Sequence, residues 1–140
     1  MRAFSHILVP VDFTEKNRIA LARAVEIAQP ASARVTLLHV IEELEGADDQ
    51  ESDAFYDALR RRAEQKMQDL RESSSAQPPP ASEIILGRRG PDILQFAAEN
   101  DVDLIVMSSH VIDPGEPSRG WATLSYQVSI VCPCAILLVK

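Results

Sequence analysis

Apolar residues fall along this chain in two alternating rhythms. Short continuous runs rich in β-branched residues read as buried strands. Between them lie longer stretches with apolar positions three and four apart, the helical spacing. The first run, His6 to Val11, predicts a strand. Thr14 then stands where a side-chain cap opens a helix. Leu21, Ala24, Val25 and Ala28 form its apolar face, and Pro30 marks its end after Gln29. Val35 to Ile41 predicts a second strand. A helix from about Asp53 to Arg71 places Phe55, Leu59, Ala63, Met67 and Leu70 on one stripe. Ser73 to Ser82, with its three prolines, cannot continue a helix and reads as a crossover loop. Ser82 to Leu86 predicts the third strand. Gly90-Pro91 opens a helix, with Pro91 suited to its first position. Ile93, Phe96 and Ala97 are that helix's apolar face. Asp103 to Met107 predicts a fourth strand buried on both faces. After a polar loop from Ser108 to Gly120, a short helix from about Trp121 to Ile130 buries Leu124 and Val128. Ala135 to Val139 predicts the fifth strand.

Strands that alternate with helices imply an α/β, three-layer, doubly wound parallel sheet, joined by right-handed crossovers. In such sheets ligands sit beyond the carboxyl ends of the strands, where the strand order reverses. The periodicity does not supply that order. With 140 residues, the chain fits one domain spanning 1–140. A domain of that size buries roughly 68–70% of its unfolded surface, enough for a core of its own.

Composition narrows the function. Hydrophobic residues at 46% and charged residues at 25% are an ordinary globular balance. No apolar run approaches membrane-spanning length. The residues from Met1 to Pro10 lack the apolar core of a signal peptide, so the cytoplasm is the expected compartment. The net charge of −7 is uneven. Seven acids lie between Glu42 and Asp53 with no base among them, and the remaining 14 acids match the 14 bases. That run reads as a solvated loop. A docking loop for a basic partner is the sharper alternative. A phosphate backbone would be repelled, so nucleic acid is excluded as a partner. The acidic segment and the Ser73 to Ser82 connector lack apolar anchors, and both are expected to exchange amide protons quickly.

Few residues suggest chemistry. Cys132 and Cys134 flank Pro133. Two thiols cannot complete a tetrahedral zinc site, and an i,i+2 bridge lies near the limit of disulfide reach. They read as reduced, mostly buried thiols entering the last strand. His6, His39 and His110 show no metal-ligand spacing. Ser108, Ser109, His110 and Asp12 invite a hydrolase reading. Adjacent residues at a strand end seldom build a nucleophile–base–acid chain, and no G-x-S-x-G elbow is present. No catalytic residue is expected. Arg88-Arg89 precedes a helix start and reads as a solvated pair or an anion contact. Asp12 reads either as a magnesium ligand beside a nucleotide or as a cap.

Taken in order, Ile7-Leu8-Val9-Pro10-Val11-Asp12-Phe13-Thr14, Leu38-His39-Val40, Asp103-Leu104-Ile105-Val106-Met107 with Ser-Ser-His, and Cys132-Pro133-Cys134-Ala135-Ile136-Leu137-Leu138-Val139 resemble universal stress proteins over the whole chain. The resemblance implies a strand order of 3-2-1-4-5, with Asp12 and Ser108 facing each other across the crevice. It also implies a homodimer paired through strand 135–139, whose apolar edge would otherwise stay open. An unidentified protein partner is the other expected contact.

Family members divide into ATP binders and non-binders. Binders carry G-x-x-G, nine residues, then G-[ST] after the fourth strand. Glycine there lets the backbone approach phosphate at a helix N-terminus. The matching positions here are Ser108, Val111, Ala122 and Thr123, so all three glycines are replaced, and the spacer is a residue longer. Val111 puts a branched side chain where phosphate would approach. Asp113 and Glu116 add negative charge that Arg119 offsets in part, while Gly115 and Gly120 leave other loop conformations open. Asp12, Val40, Ser108, Ser109 and Thr123 are the candidate nucleotide contacts. Two functions follow. One is a non-enzymatic stress-response protein acting through protein contacts, with a degraded ATP loop. The other is a regulatory switch binding ATP with magnesium, or AMP, with slow hydrolysis.

Overall fold

The computed structural model describes residues 3–43, 49–110, 114–116, 118, 120 and 123–140, with the side chains of 49–52 set aside. Its elements alternate as β1 (His6–Pro10), α1 (Lys16–Ala31), β2 (Arg34–Glu42), α2 (Asp49–Glu72), β3 (Ala81–Gly87), α3 (Arg89–Glu99), β4 (Leu104–Ser108), α4 (Leu124–Val131) and β5 (Ala135–Val139). The five strands form one sheet ordered β3-β2-β1-β4-β5, and every neighbouring pair is parallel. The order reverses between β1 and β4.

Alternation along the strands divides the core in two. Ile7, Val9, Leu37 and Val106 meet α1 and α2 through Leu21, Ala24, Met67 and Leu70. Leu8, Leu38, Ile105 and Met107 meet α3 and α4 through Ile93, Ala97 and Val128. Ile7, Leu8, Val9, Ile105 and Val106 are fully buried, as central parallel strands covered on both faces require.

Several boundaries differ from the sequence pattern. Thr14 does not cap α1. Glu15 holds that position without a side-chain bond, because the Thr14 hydroxyl donates to Asp12 instead. Pro30 lies inside the last turn, and the helix ends at Ser32, which is left-handed at φ 52°. The Ser32 and Ala33 amides satisfy the carbonyls of Gln29 and Ala28 there. α2 begins at Asp49 rather than Asp53, so the end of the acidic run opens a helix, where the macrodipole favours acids. Glu42 likewise belongs to β2, and residues 44–48 of the run lie outside the described residues. Phe55 is not on the buried stripe; it is 46% exposed, whereas Ala63, Met67 and Leu70 are buried. Pro91 is the third residue of α3, not the first.

The Ser73 to Ser82 connector is pinned, contrary to expectation. Ala76 packs against the first core. Its amide donates to Ser74 Oγ at 3.2 Å, and Arg71 Nε donates to the Pro80 carbonyl at 2.7 Å. Asp103 lies just before β4, where its carboxylate accepts from the Ser5 and His6 amides at 2.8 and 3.0 Å. The short helix starts at Leu124, and Trp121 lies outside the described residues.

Candidate functional site

The carboxyl ends of β1 and β4 part at the reversal of strand order and leave a crevice. Asp12, Val40 and Ser108 line it together with Asn17, Arg89 and His110. Asp12 and Ser108 therefore share one pocket. Ser109 and Thr123 are not among its lining residues.

The β1–α1 flank is built around Asn17, a residue the sequence reading passes over. Asn17 is 2% exposed. Its Oδ1 accepts from the Asp12 and Phe13 amides at 2.9 and 2.7 Å, and its Nδ2 donates to Ser108 Oγ at 3.4 Å. The turn after β1 and the end of β4 thus meet on one side chain. Phe13 has φ 65°, an uncommon conformation for a side-chain-bearing residue, and the two amide bonds to Asn17 hold it. The visible signal is periodicity. Asn17 is the polar member of the apolar face that continues through Leu21, Ala24 and Ala28.

Asp12 is committed to its own turn. One carboxylate oxygen accepts from the Thr14 amide at 3.1 Å and from the Thr14 hydroxyl at 2.8 Å. Burial pushes the carboxyl up, but the bonds from Thr14 outweigh it and leave Asp12 below the ordinary value. Behind it, His39 Nδ1 donates to the Val11 carbonyl at 2.8 Å. Its ring lies 4.3 Å from that of Phe13, and Lys66 sits over the Phe13 ring at 5.8 Å, within cation–π range. Burial lowers the His39 pKa, the Val11 carbonyl opposes that, and the Arg89 charge adds to the lowering.

The β4–α4 flank is organised differently. Ser108 ends β4 facing the crevice. Ser109, 5% exposed, turns away: its amide donates to the Val139 carbonyl at 2.8 Å and its hydroxyl to the His110 carbonyl at 3.2 Å. Lys140 Nζ approaches the Ser109 hydroxyl at 3.5 Å. Thr123 is the N-cap of α4. Its hydroxyl accepts from the Tyr126 amide at 3.3 Å and donates to the Gly120 carbonyl at 2.7 Å. His110 Nδ1 is 3.0 Å from Ser125 Oγ. His110 therefore partners Ser125 and Asp12 partners Thr14, so Ser108, Ser109, His110 and Asp12 do not form a relay. Val111, Asp113, Arg119 and Ala122, which carry the altered loop, lie outside the described residues.

At the α3 end, Arg89 pairs with Glu42 at 3.3 Å. The Asp92 carboxylate accepts from the Arg88 amide at 2.6 Å. A Cβ on Gly87 would run into that carboxylate, so a larger residue there would turn Asp92 away from the Arg88 amide.

The crevice encloses about 40 Å³. Sites for small molecules and cofactors typically enclose about 300–1,000 Å³. A second hollow of about 290 Å³ opens on the α2 side of Asp12 and Val40, bordered by His39, Arg62 and Lys66.

A parallel sheet with a crevice at its switch point is the architecture of the ligand-binding doubly wound α/β proteins. Within that class the chain belongs to the universal stress protein family, whose model matches residues 3–140. It is 28% identical to universal stress protein A of Escherichia coli K12 over 118 residues, 77% of each chain. Universal stress protein UspA from Lactobacillus plantarum superposes with a TM-score of 0.81 at 26% identity, covering 100% of this chain and 99% of that one. Hypothetical protein MJ0577, the subject of a structure-based assignment of biochemical function, superposes with a TM-score of 0.82 at 25% identity, covering 98% and 96%.

Proposed function

We infer that this chain is a non-enzymatic universal stress protein that works through protein contacts and does not close its crevice on ATP. The observation that carries this reading is that Asp12 is committed to the Thr14 turn, beside a space of only about 40 Å³ between it and Ser108. The polar anchors that remain from the ATP-binding pattern also serve the fold. Asp12 holds Thr14, and the Thr123 hydroxyl caps α4.

Self-association is the contact the surface favours. Ile130, Val131 and Leu137 are 62%, 65% and 37% exposed, and they lie on the last helix and the last strand. β5 is an edge strand, and pairing with the β5 of a second copy around a two-fold axis would satisfy both edges. Leu138 packs into the second core, so Leu138→Lys would test folding. Leu137→Lys tests the edge.

The 290 Å³ hollow beside Asp12 and Val40, with Arg62 and Lys66 on its wall, favours the second reading, a nucleotide-responsive switch. Titration calorimetry with Mg-ATP separates the two. The expected result is no binding tighter than millimolar, about −4 kcal/mol. Micromolar affinity overturns the first reading and establishes the second. Light scattering at micromolar chain concentration is expected to give the mass of two chains, and Leu137→Lys that of one. A single-chain mass for the unaltered protein rejects the dimer.

A further inference from the structure

Cys132 and Cys134 are the chain's two cysteines. Both are free and half-buried. Cys132 ends α4 as its C-cap, with its amide donating to the Val128 carbonyl at 2.9 Å. Cys134 stands directly before β5. Pro133 between them has a fixed φ and holds the residue before it extended; Cys132 is extended accordingly, at φ −64° and ψ 126°. Both side chains pack against the second core. The result is convergence: the sulfurs lie 3.2 Å apart.

That separation sets the angle the pair would subtend at a bridging atom. A disulfide needs the sulfurs at about 2.05 Å, more than an ångström closer. With bonds to sulfur of about 2.3 Å, the zinc–thiolate length, sulfurs 3.2 Å apart subtend roughly 90° at a bound atom. This is narrower than the tetrahedral angle of zinc and far from the straight angle of a two-coordinate soft cation. It suits a pyramidal trivalent centre with a lone pair. Among the described residues no cluster of three or more His, Cys, Asp or Glu side chains could hold a metal ion. The third position on such a centre would therefore belong to the ligand itself.

We propose that Cys132 and Cys134 form a preorganised dithiol site for a trivalent arsenical or antimonial carrying two exchangeable hydroxides. Two arsenic–oxygen bonds break and two arsenic–sulfur bonds form. The two thiol protons leave on the displaced oxygens as two waters, and arsenic stays trivalent, so no oxidant or reductant takes part. Burial, with the Cys132 thiol beside it, pushes the Cys134 thiol up to about 12.

The test uses the full chain and phenylarsine oxide as probe. Intact-mass spectrometry is expected to show one adduct per chain. Both thiols should disappear together from titration with an aromatic disulfide reagent. Dimercaptopropanol should reverse the adduct, and the same thiol concentration of mercaptoethanol should not. Cys132→Ser and Cys134→Ser should each weaken binding by about a hundredfold or more, the gain expected from linking two binding steps. No adduct, an adduct that leaves one thiol titratable, or a serine variant with undiminished affinity overturns the proposal. Should a variant fail to fold, the thiol count on the unaltered chain decides.

Discussion

The two flanks of the crevice solve the same problem in opposite ways. On the β1–α1 flank, one buried side chain, Asn17, satisfies two consecutive backbone amides and reaches the opposite strand. On the β4–α4 flank, among the described residues, the polar groups have separate partners: Thr123 has Gly120 and Tyr126, His110 has Ser125, and Ser109 has Val139. The first flank is a single buried node, and the second is a set of separate bonds. A binding crevice needs polar groups that are held in place yet free to meet a ligand. Here the rigid flank holds its groups by occupying them. That is why retention of Asp12 is weak evidence for nucleotide. The same carboxylate is what the Thr14 turn needs.

If the contrast is correct, Asn17 is the most costly polar residue to remove. Asn17→Ala leaves the Asp12 and Phe13 amides without their acceptor in a part-buried turn, and is expected to lower unfolding free energy by about 2 kcal/mol, the scale of stranded buried donors. Denaturant melts check this. Asn17→Asp keeps the acceptor oxygen and should recover part of the loss. An Asn17→Ala chain as stable as its parent would mean the flanks are equivalent.

On the other flank, Thr123→Val removes the α4 cap and should cost about 1 kcal/mol. The same melts measure it, and the loss should fall below that of Asn17→Ala. If the order reverses, the β4–α4 flank is the structural node.

The smallest effect lies in pH. Burial is the largest influence on His39 and lowers its pKa from 6.5. Between that folded value and 6.5 the unfolded chain binds more protons, so stability falls as pH drops through this window. His39→Gln should flatten that slope and leave stability above pH 7 nearly unchanged. A slope that persists in the variant would assign it to another group.

Much of the fold was legible in the chain. Leu21, Ala24, Val25 and Ala28 line the buried face of α1, and β5 spans Ala135–Val139 as its apolar run suggests. The errors fall at element boundaries and in the connecting and exposed segments. Thr14 looks like a cap, but Asp12 takes its hydroxyl. Asp53 looks like a helix start, yet the helix opens at Asp49. Phe55 satisfies the helical spacing but is 46% exposed, its ring against that of Tyr56. The connector reads as loose because its prolines exclude a helix, and Ala76 and Arg71 nonetheless fasten it to the core and to Pro80.

The site was legible in part, and for a physical reason. Element type depends on contacts two to four residues apart, so apolar periodicity alone specified five strands, four helices and their sequence along the chain. Which adjacent serine faces the crevice depends on a neighbouring strand, because the Ser109 amide is drawn to the Val139 carbonyl, 30 positions away. Asn17 gains its role from Ser108, 91 positions away. The strand order that brings Asp12 beside Ser108 rests on pairing between β1 and β4, which no local pattern encodes. The resemblance to a family supplied that order before the structure did. Only the tertiary structure set the space left between Asp12 and Ser108, about 40 Å³, since it depends on how side chains from distant segments fill the same volume.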